Sequence, residues 1–485
     1  MRLASLVAEE ARLVGDGSVE VTGLSVDSRT VRPGHLFAAL RGTRSDGRRF
    51  LPEAVAKGAV AVLGDRSLER AELPVPAVID DDPRRRLARM AALFFRHQPA
   101  TCIAVTGTNG KTSTVSFLRQ LWAAAGLKAG SLGTLGLTAP GYKPGPSLTT
   151  PDPIALHELL ANLARDGVQH LAMEASSHGL DQRRLDGVKL TAAAFLNLTR
   201  DHLDYHGSEA AYLAAKWRLF DVLLPAGAPA ILNADMPGAP DLVARAQARG
   251  LEVVTFGCGP ADYRLVEQVA EPAGQLLTLD LRGERCTVHL PIVGVFQASN
   301  LLAALALGRT SGLDHAAMVQ AIPALAAPEG RMERVGVHPR GAAIFVDYAH
   351  TPDALSVALQ ALRPHCMGRL WVVFGAGGDR DPGKRPLMGA AARDHADHVV
   401  VTDDNPRSEP PALIRQAILR ACPEALEIGD RSAAIHHAVQ ALEAGDVLLV
   451  AGKGHEQGQI VGDRVLPFDD TAVVSAALVA LGGRP

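Results

Sequence analysis

The sequence predicts an α/β protein of three domains, the central one organised on a parallel, doubly wound sheet. Three observations carry this expectation. A chain of 485 residues is too long for one core and corresponds to about three domains of ordinary size. Apolar segments of strand length alternate with helical stretches, the pattern of a parallel sheet. One of these segments, TCIAVTG, feeds a glycine turn and then the helical run TSTVSFLRQLWAAAG.

Residues 1–99 read as a small α/β unit. An amphipathic helix opens it, short strands follow around VEVTGLSVDSR and HLFAAL, then a helix at PEAVAKG and a strand at AVAVLG. The tract DDPRRRLARMAALFFRHQP has apolar residues at helical spacing and predicts a connecting helix that ends at Pro99. Residues 100–328 repeat an apolar strand ending in polar residues at TCIAVTG, HLAMEASS, AAAFLNLT and APAILNAD. Irregular β-rich sequence from Tyr263 to Pro291 precedes a helix at QASNLLAALALG. Proline and glycine in APEGRMERVG mark a second boundary, so residues 329–485 form the third domain. Its apolar strands AAIFVDYAH, RLWVVFGAGG, HVVVTDDN and DVLLVAGKG carry polar residues at their carboxyl ends, where ligands bind in open α/β sheets.

Composition narrows the function classes. A net charge of -3 gives no general attraction to nucleic acid or to an anionic membrane, so phosphate handling must be local. Aromatic residues make up 4% of the chain, too few for stacking platforms along single-stranded nucleic acid. Five scattered cysteines without paired spacing fit a reducing compartment. Glu9 and Glu10 fall where a signal peptide needs apolar residues, and no apolar run approaches a membrane span. A cytoplasmic protein, with neither nucleic acid nor membrane as partner, is expected.

The first chemical motif is Gly107-Thr108-Asn109-Gly110-Lys111-Thr112-Ser113, between the strand TCIAVTG and its helix. Glycines let backbone N–H groups face phosphate oxygens, and the helix adds its positive end. Lys111 brings a point charge to the β/γ-phosphates and the Thr112 hydroxyl suits Mg²⁺. The longer phosphate-loop pattern would place glycine where this chain has Val105, so the match is to a shorter variant, GTNGKT. An ordinary glycine turn with a solvated lysine is the competing reading. Strand, turn, helix and Lys-Thr pair together favour a nucleotide. Glu174, at the end of HLAMEASS, is placed to hold Mg²⁺ directly or through water, and His202 follows another strand end; either alone would read as a hydrogen-bonded loop residue.

GTNGKT, then TTPDP, MEASSHGLDQRR and TRDHLDYHGS…YLAAKWRLF, in this order and spacing, resemble the Mur ligases. The resemblance implies the three-domain Mur ligase architecture, with a central P-loop ATPase-like parallel sheet and a Rossmann-like C-terminal domain. It implies an ATP-driven amide ligase of peptidoglycan precursor synthesis, acting through an acyl phosphate. A lysine of the last motif is carbamylated by CO₂ in that family, and Lys216 matches it. Carbamylation turns a cation into an anion able to support a second Mg²⁺, and needs a neutral amine. By resemblance Glu174, His202 and carbamylated Lys216 arrange that ion, with Thr112 and Glu174 near the first. Asn300 would face adenine, Arg331 the phosphates and Asp347 the ribose. From the residues alone, Asp347 reads equally as a cap of the helix TPDALSVALQAL.

For the nucleotide-linked acceptor, hydroxyls and arginines on SVDSR and RGTRSDGRRF suit a uracil and a diphosphate, and the resemblance places Ser28 with Thr43, Arg44 and Ser45 there. It also assigns Thr149, Thr150, Ser176, Gln182 and Arg184 to the muramoyl peptide. The most discriminating motif of the third domain is Asp404-Asn405-Pro406-Arg407. Diaminopimelate exceeds lysine by one far carboxylate, which an arginine reads in bidentate fashion, and the family's diaminopimelate-adding members carry DNPR. Arg380, Gly452 and Glu456 match further positions around that amino acid. The partners implied are ATP, UDP-N-acetylmuramoyl-L-alanyl-D-glutamate and meso-diaminopimelate, acted on by a monomer. Lysine addition, folylpolyglutamate synthesis and a nucleotide-dependent binding protein with a degenerate site are the alternatives. DNPR and the acceptor-site residues weigh against the first two. Lys111, Glu174, His202 and Lys216 together weigh against the third.

Overall fold

The computed structural model describes residues 1–7, 11–42, 45–70, 73–143, 145, 148–199 and 201–484. The chain divides into two compact units, Met1–Thr255 with Ala306–Leu313, and Phe256–Leu305 with Asp314–Pro485.

The first unit opens with a five-stranded sheet in the order Arg12–Val14, Ala77–Ile79, Ala61–Gly64, His35–Ala38, Gly23–Ser25. Only the pairing of Arg12–Val14 with Ala77–Ile79 is antiparallel. Helix Pro83–Phe95 starts where the Asp82 carboxylate accepts from Arg85 N–H and proline occupies the first turn. Its Leu87, Met90 and Ala91 join the apolar cluster of this sheet. The helix stops at Phe95, short of the expected Pro99, because Arg96 turns into the left-handed region with φ 66°.

The larger sheet of this unit runs Pro229–Asn233, Ala192–Phe195, Thr101–Thr106, His170–Glu174, Ala129–Gly133, Gly136–Thr138. The first five of these strands are parallel and almost wholly buried, which is why they read as continuous apolar runs. Strand Thr101–Thr106 lies between two strands that follow it in the chain, so the order reverses at its carboxyl end. Register sets the site: Val105 pairs with Glu174 and Thr106 with Phe195, which brings three strand ends level.

In the second unit the β-rich stretch is an antiparallel meander, Tyr263–Glu271, Gly274–Leu281 and Glu284–Leu290. A six-stranded sheet follows in the order Glu333–Val337, Ala343–Asp347, Val447–Ala451, Leu370–Phe374, His398–Val401, Leu426–Glu427. All its pairings but the first are parallel. Asp347 pairs with Ala451 and Phe374 with Val401, so the loops carrying Arg380, Asp404 to Arg407, Gly452 and Glu456 leave one edge of this sheet. No helix of the described residues is long and apolar enough to cross a membrane.

Candidate active site

In the first unit the phosphate loop and the acceptor residues form one connected network. Gly110 caps helix Lys111–Ala124 with φ 85°, a conformation that glycine adopts without strain. Lys111 Nζ donates to the carbonyls of Gly107 and Thr108, both at 2.9 Å, folding the side chain back over the loop. Asn109 and Asn197 exchange side-chain and backbone hydrogen bonds, and Thr108 Oγ1 bonds Tyr212 Oη at 3.2 Å. The Thr112 hydroxyl donates to Glu174 Oε1 at 2.9 Å.

Glu174 is 2% exposed and accepts also from Thr134 N–H and Thr134 Oγ1. No Lys or Arg of the described residues forms an ion pair with it. A Cβ at Gly133 would collide with its carboxylate, so a larger residue there would displace it. Among the described residues no cluster of three His, Cys, Asp or Glu side chains could hold a metal by itself. One buried carboxylate ringed by hydroxyls is nevertheless a hard-oxygen set that suits Mg²⁺, which takes few protein ligands and completes its shell with water and phosphate. His202 stands apart from this set: it is half-exposed, with φ 52°, its ring 4.8 Å from that of His178 and its Nε2 3.5 Å from Asp201.

Lys216 sits in the last turn of helix Glu209–Arg218, at 1% exposure. Its Nζ donates to Gly107 O at 2.8 Å and lies 4.5 Å from the centre of the Tyr212 ring. Burial pushes its pKa well below the ordinary lysine value; Lys111 adds repulsion, and Asp201 opposes. The following turn, Leu219–Leu223, is a π-helix, a feature that recurs at functional sites.

The acceptor residues extend the network. Thr150 Oγ1 donates to Glu174 O and bonds Ser176 Oγ at 3.1 Å, while Ser176 caps the short helix Ser177–Asp181. Thr149 bonds Thr134 through their hydroxyls. Arg184 Nη1 donates to Thr150 O at 2.6 Å and Nη2 to Gln182 Oε1 at 2.8 Å; Gln182 in turn donates to Tyr205 Oη. Ser28 lies at the N-terminal sheet, its hydroxyl donated to Glu53 Oε2 at 2.8 Å. Ser45 is exposed, and its carbonyl accepts from Gly42 N–H. Thr43 and Arg44 lie outside the described residues.

In the second unit Asn300 Nδ2 donates to Gln297 Oε1. Arg331 lies 4.6 Å over the Tyr348 ring. Asp347 accepts from Met332 N–H and Ala349 N–H. Burial raises its pKa, with Arg331 and the two N–H groups opposing. Helix Pro352–Leu362 is capped by Thr351, whose hydroxyl accepts from Ala354 N–H, so the capping alternative for Asp347 is excluded. Arg407 has φ 54°; its N–H donates to Ile460 O, its carbonyl accepts from Gly462 N–H, and Nη1 donates to Gly378 O at 2.7 Å. No carboxylate of the described residues forms an ion pair with Arg407 or with exposed Arg380, so both remain available to an anionic ligand. Pro406 is buried, and Asp404 Oδ1 accepts from Asn405 N–H. Gly452, with φ 117°, donates its N–H to Asp347 O. Asn405 Nδ2 donates to Glu456 Oε2 at 2.9 Å.

Sequence reasoning missed Thr134, Tyr205, Tyr212 and Lys453. Thr134 lies outside the quoted motifs, and Tyr205 and Tyr212 stand within TRDHLDYHGS…YLAAKWRLF as ordinary hydroxyl residues; only tertiary pairing brings all three in. Lys453 stood in view at the end of DVLLVAGKG.

Three family descriptions match the chain in order: "Mur ligase family, catalytic domain" over residues 20–95, "Mur ligase middle domain" over 105–308, and "Mur ligase, glutamate ligase domain" over 330–454. A UDP-N-acetylmuramoyl-L-alanyl-D-glutamate--2,6-diaminopimelate ligase of Bradyrhizobium diazoefficiens is 52% identical, with 99% of each chain covered. One of the same name from Caulobacter vibrioides is 54% identical, covering 94% of this chain and 95% of its own. A solved structure of that ligase matches with a TM-score of 0.73 and 34% identity over 99% of both chains. A MurF ligase from Thermotoga maritima in complex with ADP matches in fold, with a TM-score of 0.62 and 20% identity over 96% of this chain and 97% of its own. With its motifs assembled at the edge of a parallel α/β sheet and relatives matching from end to end, the chain belongs to the Mur ligase family.

Proposed function

We propose that this protein is an ATP-dependent, ADP-forming ligase of peptidoglycan precursor synthesis. It joins meso-diaminopimelate to the D-glutamate of UDP-N-acetylmuramoyl-L-alanyl-D-glutamate. The observation that carries this is Arg407, a preset guanidinium that pairs with no carboxylate of the described residues, in a chain half identical over its full length to ligases of that name.

A carboxylate resists attack by an amine, so the γ-phosphoryl of ATP first moves to the glutamyl carboxylate as an acyl phosphate. The amine then forms the amide and phosphate leaves. Lys111, turned back on Gly107 and Thr108, exchanges those carbonyls for the β/γ-phosphates. Thr112 and Glu174 would hold Mg²⁺, which would supply charge neutralisation where ATP and the carboxylate meet. Lys216, whose burial favours the neutral amine, adds CO₂ through its Nζ lone pair and releases a proton, which leaves a carbamate. His202 joins that end of the site by resemblance. Asn300, Arg331 and Asp347 take adenine, phosphate and ribose. Thr149, Thr150, Ser176, Gln182 and Arg184 hold the muramoyl peptide, and Ser28, Thr43, Arg44 and Ser45 the UDP. Arg380, Asp404 to Arg407, Gly452 and Glu456 hold diaminopimelate.

Separate sheets within 1–99, 100–328 and 329–485 support those ranges as domains. ATP and a UDP-linked precursor make the cytoplasm the site of the reaction, whose product serves wall growth, cell shape and division. Incubating the protein with ATP, Mg²⁺, the UDP-linked dipeptide and diaminopimelate tests the reading. Mass spectrometry should find the UDP-linked tripeptide with one ADP per product; ADP without tripeptide would refute it.

A further inference from the structure

Lys453 is 0% exposed, and a lysine so placed cannot touch a ligand through solvent. Long charged side chains are almost never fully buried unless paired, so the arrangement of its partners bears on its role. Its Nζ donates to Asn405 Oδ1 at 3.1 Å and to Glu456 Oε2 at 3.3 Å. Ile460 N–H donates to the same Asn405 oxygen at 2.9 Å. Two donors at one end of the amide fix its orientation: the oxygen faces Lys453, and the NH₂ group faces Glu456. One of its N–H bonds goes to Glu456 Oε2 at 2.9 Å, and the other has no acceptor among the described residues. Glu456 therefore has one oxygen held by Lys453 and Asn405. Its other oxygen accepts no hydrogen bond from the described residues, and the side chain is 35% exposed.

The result is a donor from Asn405 beside an acceptor from Glu456. An amino-acid head group, a carboxylate next to an ammonium, is the complement of that pair. We propose that Lys453 is a positioning residue that sets this donor–acceptor pair and so governs the grip on the zwitterionic far end of the incoming amino acid. The proposal rests on the reading of the site as a diaminopimelate site, and it adds a residue that acts only through Asn405 and Glu456. Lysine as substrate, with an ammonium alone at that end, would use the acceptor and leave the donor unpaired.

The test is Lys453→Met in the full-length protein, which keeps an unbranched side chain of similar length and removes the charge. The KM for diaminopimelate should rise by at least about tenfold, while the KM for ATP stays within about twofold. A Lys453→Met/Glu456→Gln double variant should lose less than the product of the two single losses, because the lysine acts in part through the glutamate. Should Lys453→Met fail to fold, Lys453→Gln, which retains a donor, carries the same three measurements. An unchanged diaminopimelate KM, an equal rise in the ATP KM, or independent multiplication of the two effects would overturn the proposal. Wild-type protein that makes no tripeptide would overturn the substrate reading instead.

Discussion

Lys216 concentrates the physical problem of the site in one side chain. Its ammonium is buried, shares the Gly107 carbonyl with Lys111, and meets only Asp201 as a counter-charge. Such a group sheds its proton more readily than a solvated lysine, and a neutral amine is what carbamylation needs. The sign follows directly. Lowering the pKa raises the neutral fraction at any pH below the ordinary value of 10.5. Bicarbonate-dependent activity should therefore climb with pH on the acid side and level off once pH passes the lowered pKa. Lys216→Ala should lose roughly 100-fold in kcat, and short carboxylates added to the assay should restore part of it. A loss with no rescue and no bicarbonate dependence would leave the lysine a packing role only. Sequence identified this residue through its motif, but its burial was not visible there: the stretch YLAAKWRLF reads equally as a surface helix. Lys453 was hidden for a related reason, since a lysine between two glycines carries no sign of being enclosed.

At the scale of elements, strand ends do the positioning. Continuous apolar runs made each parallel strand legible, and the polar residues closing them marked the edge that carries the site. Register was not legible. Nothing in the sequence says that Val105 stands beside Glu174, or that Thr134, on the turn between two short strands, closes the hydrogen bonds of that carboxylate. The turn after TCIAVTG was read correctly despite Val105, because two glycines and the Lys-Thr pair suffice to build the loop. Asp347 looked like a helix cap because it precedes TPDALSVALQAL by a few residues. Thr351 is nearer the first turn and takes that role. Gly133 ties an element to the chemistry. A methyl group there meets the Glu174 carboxylate, so Gly133→Ala should displace it and cut kcat on the order of 100-fold, with far-UV circular dichroism unchanged. Full activity in that variant would remove Glu174 from the metal-binding assignment.

At the scale of the whole molecule, the phosphate loop, Glu174, Lys216 and the acceptor network lie in the first unit. The residues proposed for the amino acid lie in the second, together with Asn300, Arg331 and Asp347, proposed for ATP. Amide ligation as a class rests on motifs spread over nearly the whole length, and their order was readable without coordinates. The choice of amino acid rests on few residues. Arg407 holds a left-handed backbone between Ile460 and Gly462 with its guanidinium set by Gly378. Sequence supplied its identity, and tertiary structure supplied the absence of a competing carboxylate among the described residues. The measurement that tests the central claim most directly is phosphate release with ATP and the UDP-linked dipeptide, offering diaminopimelate and lysine separately. Wild-type protein should favour diaminopimelate by at least about 100-fold in kcat/KM, and Arg407→Ala should erase most of that preference while ATP binding persists. Equal rates with the two amino acids in the wild-type protein would contradict the account.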